Sequence, residues 1–195
     1  MQTVDFIHME DGTREEYEFL ERKEQEYIAG LPDRIMDALR KLADSISGYK
    51  INRLEHSLQG ATRAYRAGES DEMIVAVLLH DIGDELAPLS HSEMAAAILR
   101  PFVSEKLYWI VKHHGVFQMY YFAHHYGGDR NTREIYKDNA WYQDAIDFCH
   151  NYDQNCFDPD YDWEPLEFFE PILRRVLSKP NLGDHEHIAR YGETG

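Results

Sequence analysis

The 195-residue sequence predicts an all-α fold. Two observations carry this. Apolar residues recur at helical rather than alternating spacing along most of the chain, and the periodic segments are bracketed by capping residues and glycines. A third observation, the absence of internal repeats, low-complexity tracts or an internal linker, predicts one helical domain over residues 1–180 and a mobile tail over 181–195.

Taken in order, Thr13 followed by Glu16 reads as a capping box opening "REEYEFLERKEQEYIAG", which stops at Gly30. Asp33 is the expected cap of "RIMDALRKLADSI", where Ile35, Leu39 and Leu42 share a face. In "INRLEHSLQGATRAYRAG" the set Leu54, Leu58, Ala61 and Tyr65 keeps helical spacing, with His56 and Gln59 on a different face. "DEMIVAVLLHDIG" is apolar nearly all round, so it reads as a central buried helix, with Asp71 as its cap and Gly83 as its end. "HSEMAAAILRPFV" and "SEKLYWIVKHHGVF" read as shorter helices, followed by the aromatic "QMYYFAHHYGG" and a turn. "AWYQDAIDFCHNYDQNCF" reads as a late helix, and "EPLEFFEPILRRVLSK" as an amphipathic one packed across the outside.

A formal net charge of −16 argues against a nucleic-acid or anionic-membrane partner, because both are held largely by Lys and Arg. The acidic start "MQTVDFIHMEDG" lacks the basic opening of a signal peptide, and no apolar run approaches the ~20 residues of a membrane span. A cytoplasmic location is the expectation. Two cysteines, Cys149 and Cys156, are too few for a disulfide framework and form no paired zinc knuckle. Eleven histidines, seven of them between positions 80 and 150, direct attention to ligand chemistry.

The stretch "VAVLLHDIGDEL" carries His80 and Asp81 into what reads as the core. A buried carboxylate without a partner is costly, so it shifts its pKa or binds a cation. His56, His91, His114 and Asp153 also lie on or at the ends of expected helices. Imidazole and carboxylate donors suit iron, manganese, zinc or cobalt, and the lack of nearby thiolates disfavours a structural zinc site.

The order His56, His80-Asp81, His91, His114, Asp153 resembles the two-metal form of the HD-domain superfamily over residues 53–159. That resemblance implies a helical bundle with a buried two-metal site. His56, His80, Asp81 and Asp153 would hold one ion, and Asp81 would bridge to a second held by His91 and His114. In "KHHGVFQ" the resemblance selects His114 over His113. His8, His185 and His187 read as surface residues, the last two able to bind metal adventitiously. Two chemistries share this scaffold, hydrolysis of phosphate esters and oxidation by mixed-valent di-iron centres. A catalytically silent binding module is the third alternative.

"INRLEHSLQGA", "LLHDIGD", "HSEMAAAILRPFVS", "KHHGVFQMYYFAHHYGGDRN" and "CHNYDQNCFDPDYD" resemble the di-iron oxygenases that cleave carbon–phosphorus bonds. Those enzymes act on 2-amino-1-hydroxyethylphosphonate or on (R)-1-hydroxy-2-trimethylammonioethylphosphonate. The resemblance implies two Fe ions as an Fe(II)/Fe(III) pair, an organophosphonate substrate and O2. It places Tyr49 near a tyrosine that caps the open iron position, and Gln118 where the aminoethyl enzymes have a substrate-binding lysine.

Among the remaining candidates, Arg130 and Arg133 suit bidentate binding of phosphonate oxygens. Tyr121 and Trp163, within "MYYF" and "YDW", offer aromatic faces for a quaternary ammonium. Gln59, three residues after His56, is a further candidate substrate contact.

Overall fold

Residues 74–79 are almost wholly shut from solvent, and the fold is arranged around them. The structure, a computed structural model, describes residues 3–180. His185, His187 and the expected tail lie outside the described residues. Eight α-helices and no strand occur among the described residues. They are α1 (Arg14–Ala29), α2 (Leu31–Lys41), α3 (Arg53–Arg66), α4 (Asp71–Leu79), α5 (His91–Leu99), α6 (Glu105–Phe122), α7 (Tyr142–Tyr152) and α8 (Leu166–Leu177). As its all-round apolar sequence predicts, α4 is central, in contact with α3, α5, α6 and α8. Contacts of α5 with α6, of α6 with α7 and of α7 with α3 complete the bundle.

Local chemistry sets the starts. Both halves of the capping box at Thr13 and Glu16 form, and Asn52 with Glu55 forms a second box ahead of α3. Two expected caps differ. Ser70, rather than Asp71, accepts the Met73 amide and caps α4, leaving Asp71 as the first helical residue. α2 starts directly after Gly30 with Pro32 in its first turn, so Asp33 lies inside the helix and pairs instead with Arg174. The aromatic run after Phe117 does not leave the helix, because nothing from Gln118 to Phe122 breaks the hydrogen-bond ladder, and α6 runs unbroken to Phe122.

Two glycines let the site-bearing elements approach. A Cβ on Gly60 would meet the Tyr152 carbonyl at 2.4 Å, so only glycine allows α3 so close to the end of α7. A Cβ on Gly83 would lie 2.7 Å from the His91 carbonyl, so the turn after α4 lies directly against the start of α5.

Candidate metal centre

Five elements converge on one buried point. α3 presents His56 from its second turn, α4 runs out into His80 and Asp81, α5 begins with His91, α6 contributes His114, and Asp153 caps α7. His56 and His80 are fully buried and Asp81, His114 and Asp153 nearly so. The structure thus brings together all six of the residues singled out by order and type. Neighbouring Trp109 and Tyr136 rings hold His113 away from them, and its Nδ1 bonds the Trp109 carbonyl.

The distances divide the six into two groups that share Asp81. Asp81 Oδ2 lies 3.5 Å from Nε2 of both His56 and His80. Those two nitrogens are 3.2 Å apart, and Asp153 Oδ1 is 3.4 Å from His56 Nε2 and 3.8 Å from His80 Nε2. Asp81 Oδ1 lies 3.4 Å from Nε2 of both His91 and His114, which are 3.3 Å apart. Bonds of ~2.1 Å to one ion put its donor atoms about 3.0–3.4 Å from each other, close to the 3.2–3.8 Å found here.

Hydrogen bonding on the far side of each ring fixes what faces inward. Nδ1 of His56 lies 3.0 Å from the Cys156 carbonyl, and Nδ1 of His80 and His114 each lie 2.7 Å from the carbonyls of Val77 and Val111. A carbonyl only accepts, so each Nδ1 carries a proton and Nε2 of each ring faces inward, where it takes either a proton or a cation. Two inward nitrogens about 3.2 Å apart require a proton or a cation between them. The donor set therefore fits two transition-metal ions bridged by Asp81.

In the ion-free centre the neighbouring carboxylates favour a proton at His80, the position a bound cation would take. Burial pushes the His80 imidazole down, but the Asp81 and Asp153 carboxylates outweigh it and raise it to about 9. Burial likewise opposes ionisation of Asp81, yet His80, His114, Arg53 and His56 together hold it well below the usual carboxylate range. Asp153 is lowered in the same way by His56 and His80 against its burial. Neither thiol belongs to the clustered donor groups, and burial pushes Cys149 well up and Cys156 to about 12.

The other expected site residues divide. Gln118 Nε2 donates to Asp153 Oδ1 at 2.9 Å, and Tyr121, one turn further on, reaches His150. Tyr49 is half exposed and stacks on Phe157 at 4.8 Å, and Phe157 in turn stacks on His56 at 4.4 Å. Arg130 and Arg133 both lie over the Tyr120 ring, at 4.1 and 3.7 Å from its centroid. Two further expected contacts have structural partners of their own. Gln59 is consumed structurally, its amide nitrogen donating to the Asp158 carbonyl and its oxygen accepting from the Asp158 amide. Trp163 packs against the core beside the far end of α3, where the Glu164 amide bonds Thr62, six residues and ~9 Å along the axis beyond His56. His8 is exposed and distant in sequence from every element of the centre.

Sequence reasoning missed three contributors. Arg53, at the first position of α3, reaches Asp81 Oδ2 at 3.3 Å and Asp84 Oδ2 at 2.9 Å. Asp84 Oδ1 lies 3.5 Å from His91 Nδ1. Phe157 forms an aromatic wall on His56 and, with Tyr49, lines a groove of about 590 Å³ that also includes Lys50, Asn155 and Asp158. Arg53 and Asp84 were detectable as an Arg three residues before His56 and an acid three after Asp81, but only folding shows that they meet.

Over 100 residues the chain is 33% identical to 1-hydroxy-2-(trimethylamino)ethylphosphonate dioxygenase (glycine-betaine-forming) from Leisingera caerulea, covering 46% of this chain and 48% of that protein. The chain thus spans about half the length of that relative. The HD domain matches residues 53–151, the segment that carries five of the six clustered residues. The chain belongs to the HD-domain family.

Proposed function

We propose that the protein is a non-heme di-iron oxygenase that uses O2 to cleave the carbon–phosphorus bond of 1-hydroxy-2-(trimethylammonio)ethylphosphonate, giving glycine betaine and phosphate. The observation that carries the reading is the pair of imidazole sets on opposite oxygens of one buried carboxylate, in a chain similar to a dioxygenase of that substrate. His56, His80, Asp81 and Asp153 would hold one ion, and Asp81, His91 and His114 the other. The bound iron pair supplies the redox chemistry with O2 that side chains lack.

The chain's own groups bind and orient. Arg130 and Arg133 take the phosphonate: neither forms an ion pair among the described residues, and the Nε of each is buried without a hydrogen-bond partner, an arrangement that favours an incoming anion. Phe157 and Tyr49, together with Tyr121, supply aromatic faces for the trimethylammonium group. Tyr49 closes the His56 side of the centre, and Gln118 holds Asp153 in place.

Anaerobic reconstitution with iron, followed by EPR and phosphate release with and without air, tests the proposal. O2-dependent phosphate release with a mixed-valent signal supports it. Phosphate release from simple phosphate esters without O2 would replace it with a phosphohydrolase.

A further inference from the structure

Three of the four clustered histidines are oriented by backbone. His80 and His114 each use the carbonyl three residues earlier in their own helix, and His56 uses Cys156. His91 has no such option. It is the first residue of α5, so no preceding helical turn offers a carbonyl, and Ser90 provides no side-chain cap. The group facing His91 Nδ1 is instead Asp84 Oδ1, at 3.5 Å. Asp84 Oδ2 is ion-paired on the other side with Arg53 Nε at 2.9 Å, without hydrogen-bond alignment, and the same guanidinium lies 3.3 Å from Asp81 Oδ2. The Arg53 and Asp84 side chains are only 15% and 9% exposed, so neither is a freely rotating surface group.

We infer that Asp84, ion-paired with Arg53, is the positioning residue of His91 and sets the affinity of the second ion subsite separately from the first. The inference rests on reading the six residues as a two-ion site. A carboxylate behind a ligating imidazole fixes its tautomer and raises its basicity, and Asp84 does this for His91 alone. Arg53 balances the charge, so Asp84 adds no net negative charge beside Asp81. His91, the most exposed of the four rings, is thereby tuned by a side chain, whereas His56, His80 and His114 are oriented by main chain.

The test is stepwise titration of the metal-stripped full-length chain with Co²⁺, read by equilibrium dialysis and by visible absorption of the bound ion. The wild type is expected to bind two ions. In Asp84→Ala the first should bind as in the wild type and the second about 10- to 100-fold more weakly. Asp84→Asn, which keeps an acceptor oxygen and the shape of the side chain, should weaken the second ion less. Arg53→Leu combined with Asp84→Ala removes both charges together, and the second ion should remain weakened. Unchanged second-ion affinity in Asp84→Ala, equal weakening of both ions, or full recovery in the double variant would overturn the assignment. Fewer than two ions in the wild type would remove the two-ion reading and this inference with it.

Discussion

Gln118 donates from Nε2 to Asp153 Oδ1 at 2.9 Å, so the residue one turn beyond His114 holds a candidate ligand at the end of another helix. Asp153 is a C-cap residue with non-helical backbone angles, and its own helix does not fix its side chain. Gln118→Leu should therefore weaken ion binding about 10- to 100-fold at the His56–His80 subsite, the usual range for losing an outer partner of a ligand. Metal content after dialysis checks this. Retention equal to that of the wild type would return Gln118 to a substrate-facing role.

Asp81 is the one residue that both groups share. Its loss should empty both subsites, whereas His114→Ala should leave the His56–His80 group able to hold an ion. Metal analysis of the two variants side by side is expected to give close to none and close to one. Two ions retained in Asp81→Ala would sink the bridging assignment.

The raised His80 value gives a pH prediction with opposite signs for the two forms. In ion-free protein, His80 keeps its proton up to about 9 while the unfolded chain loses it near 6.5. Its stabilising contribution is thus complete below about 6.5 and is lost as pH rises toward 9. Ion binding requires the same nitrogen to be deprotonated, so affinity rises across that window. The melting-temperature gap between manganese-loaded and chelator-treated protein should widen from pH 6.5 to about 8.5. A constant or narrowing gap would show that His80 takes no part in binding.

Arg130 and Arg133 carry their own prediction. If both guanidinium groups await an anion over Tyr120, either Ala variant should raise KM for the phosphonate by roughly 10- to 100-fold, corresponding to ~1.5–3 kcal/mol for a charge-assisted contact, with ion content unchanged. Loss of ions in these variants would place the pair in a structural role.

The ligand order was legible through its resemblance to the two-metal HD-domain signature, and the burial of α4 is consistent with His80 and Asp81 entering the core. Side chains brought in by tertiary approach were not. Arg53 at a helix start reads as solvated, and only the packing of α3 against the turn after α4 delivers it to Asp81 and Asp84. Trp163 is near Asp153 in sequence, yet residues 158–164 run along α3 away from the centre, held by Gln59, Thr62 and Arg66. Sequence proximity failed there because an extended segment covers distance quickly, whereas Phe157, four residues past Asp153, is still beside His56.

That difference sharpens the substrate prediction, since the aromatic surface beside His56 comes from Phe157 and Tyr49 rather than from Trp163. A quaternary ammonium has no hydrogen bonds to water to give up on entering such a surface, whereas a primary ammonium forfeits several, so aromatic faces select by desolvation as well as by cation–π attraction. With iron and air, the protein should turn over the trimethylammonio substrate with higher kcat/KM than 2-amino-1-hydroxyethylphosphonate. Phe157→Leu keeps apolar volume but removes the ring, and should reduce that preference by roughly 3- to 30-fold, as ~0.5–2 kcal/mol of cation–π attraction implies. Ion content measured on the same samples separates this from damage to His56, against which Phe157 packs. Equal kcat/KM for the two amines in the wild type would overturn the substrate assignment and leave the metal centre standing; an unchanged preference in Phe157→Leu would move ammonium recognition to the Tyr121 side of the centre.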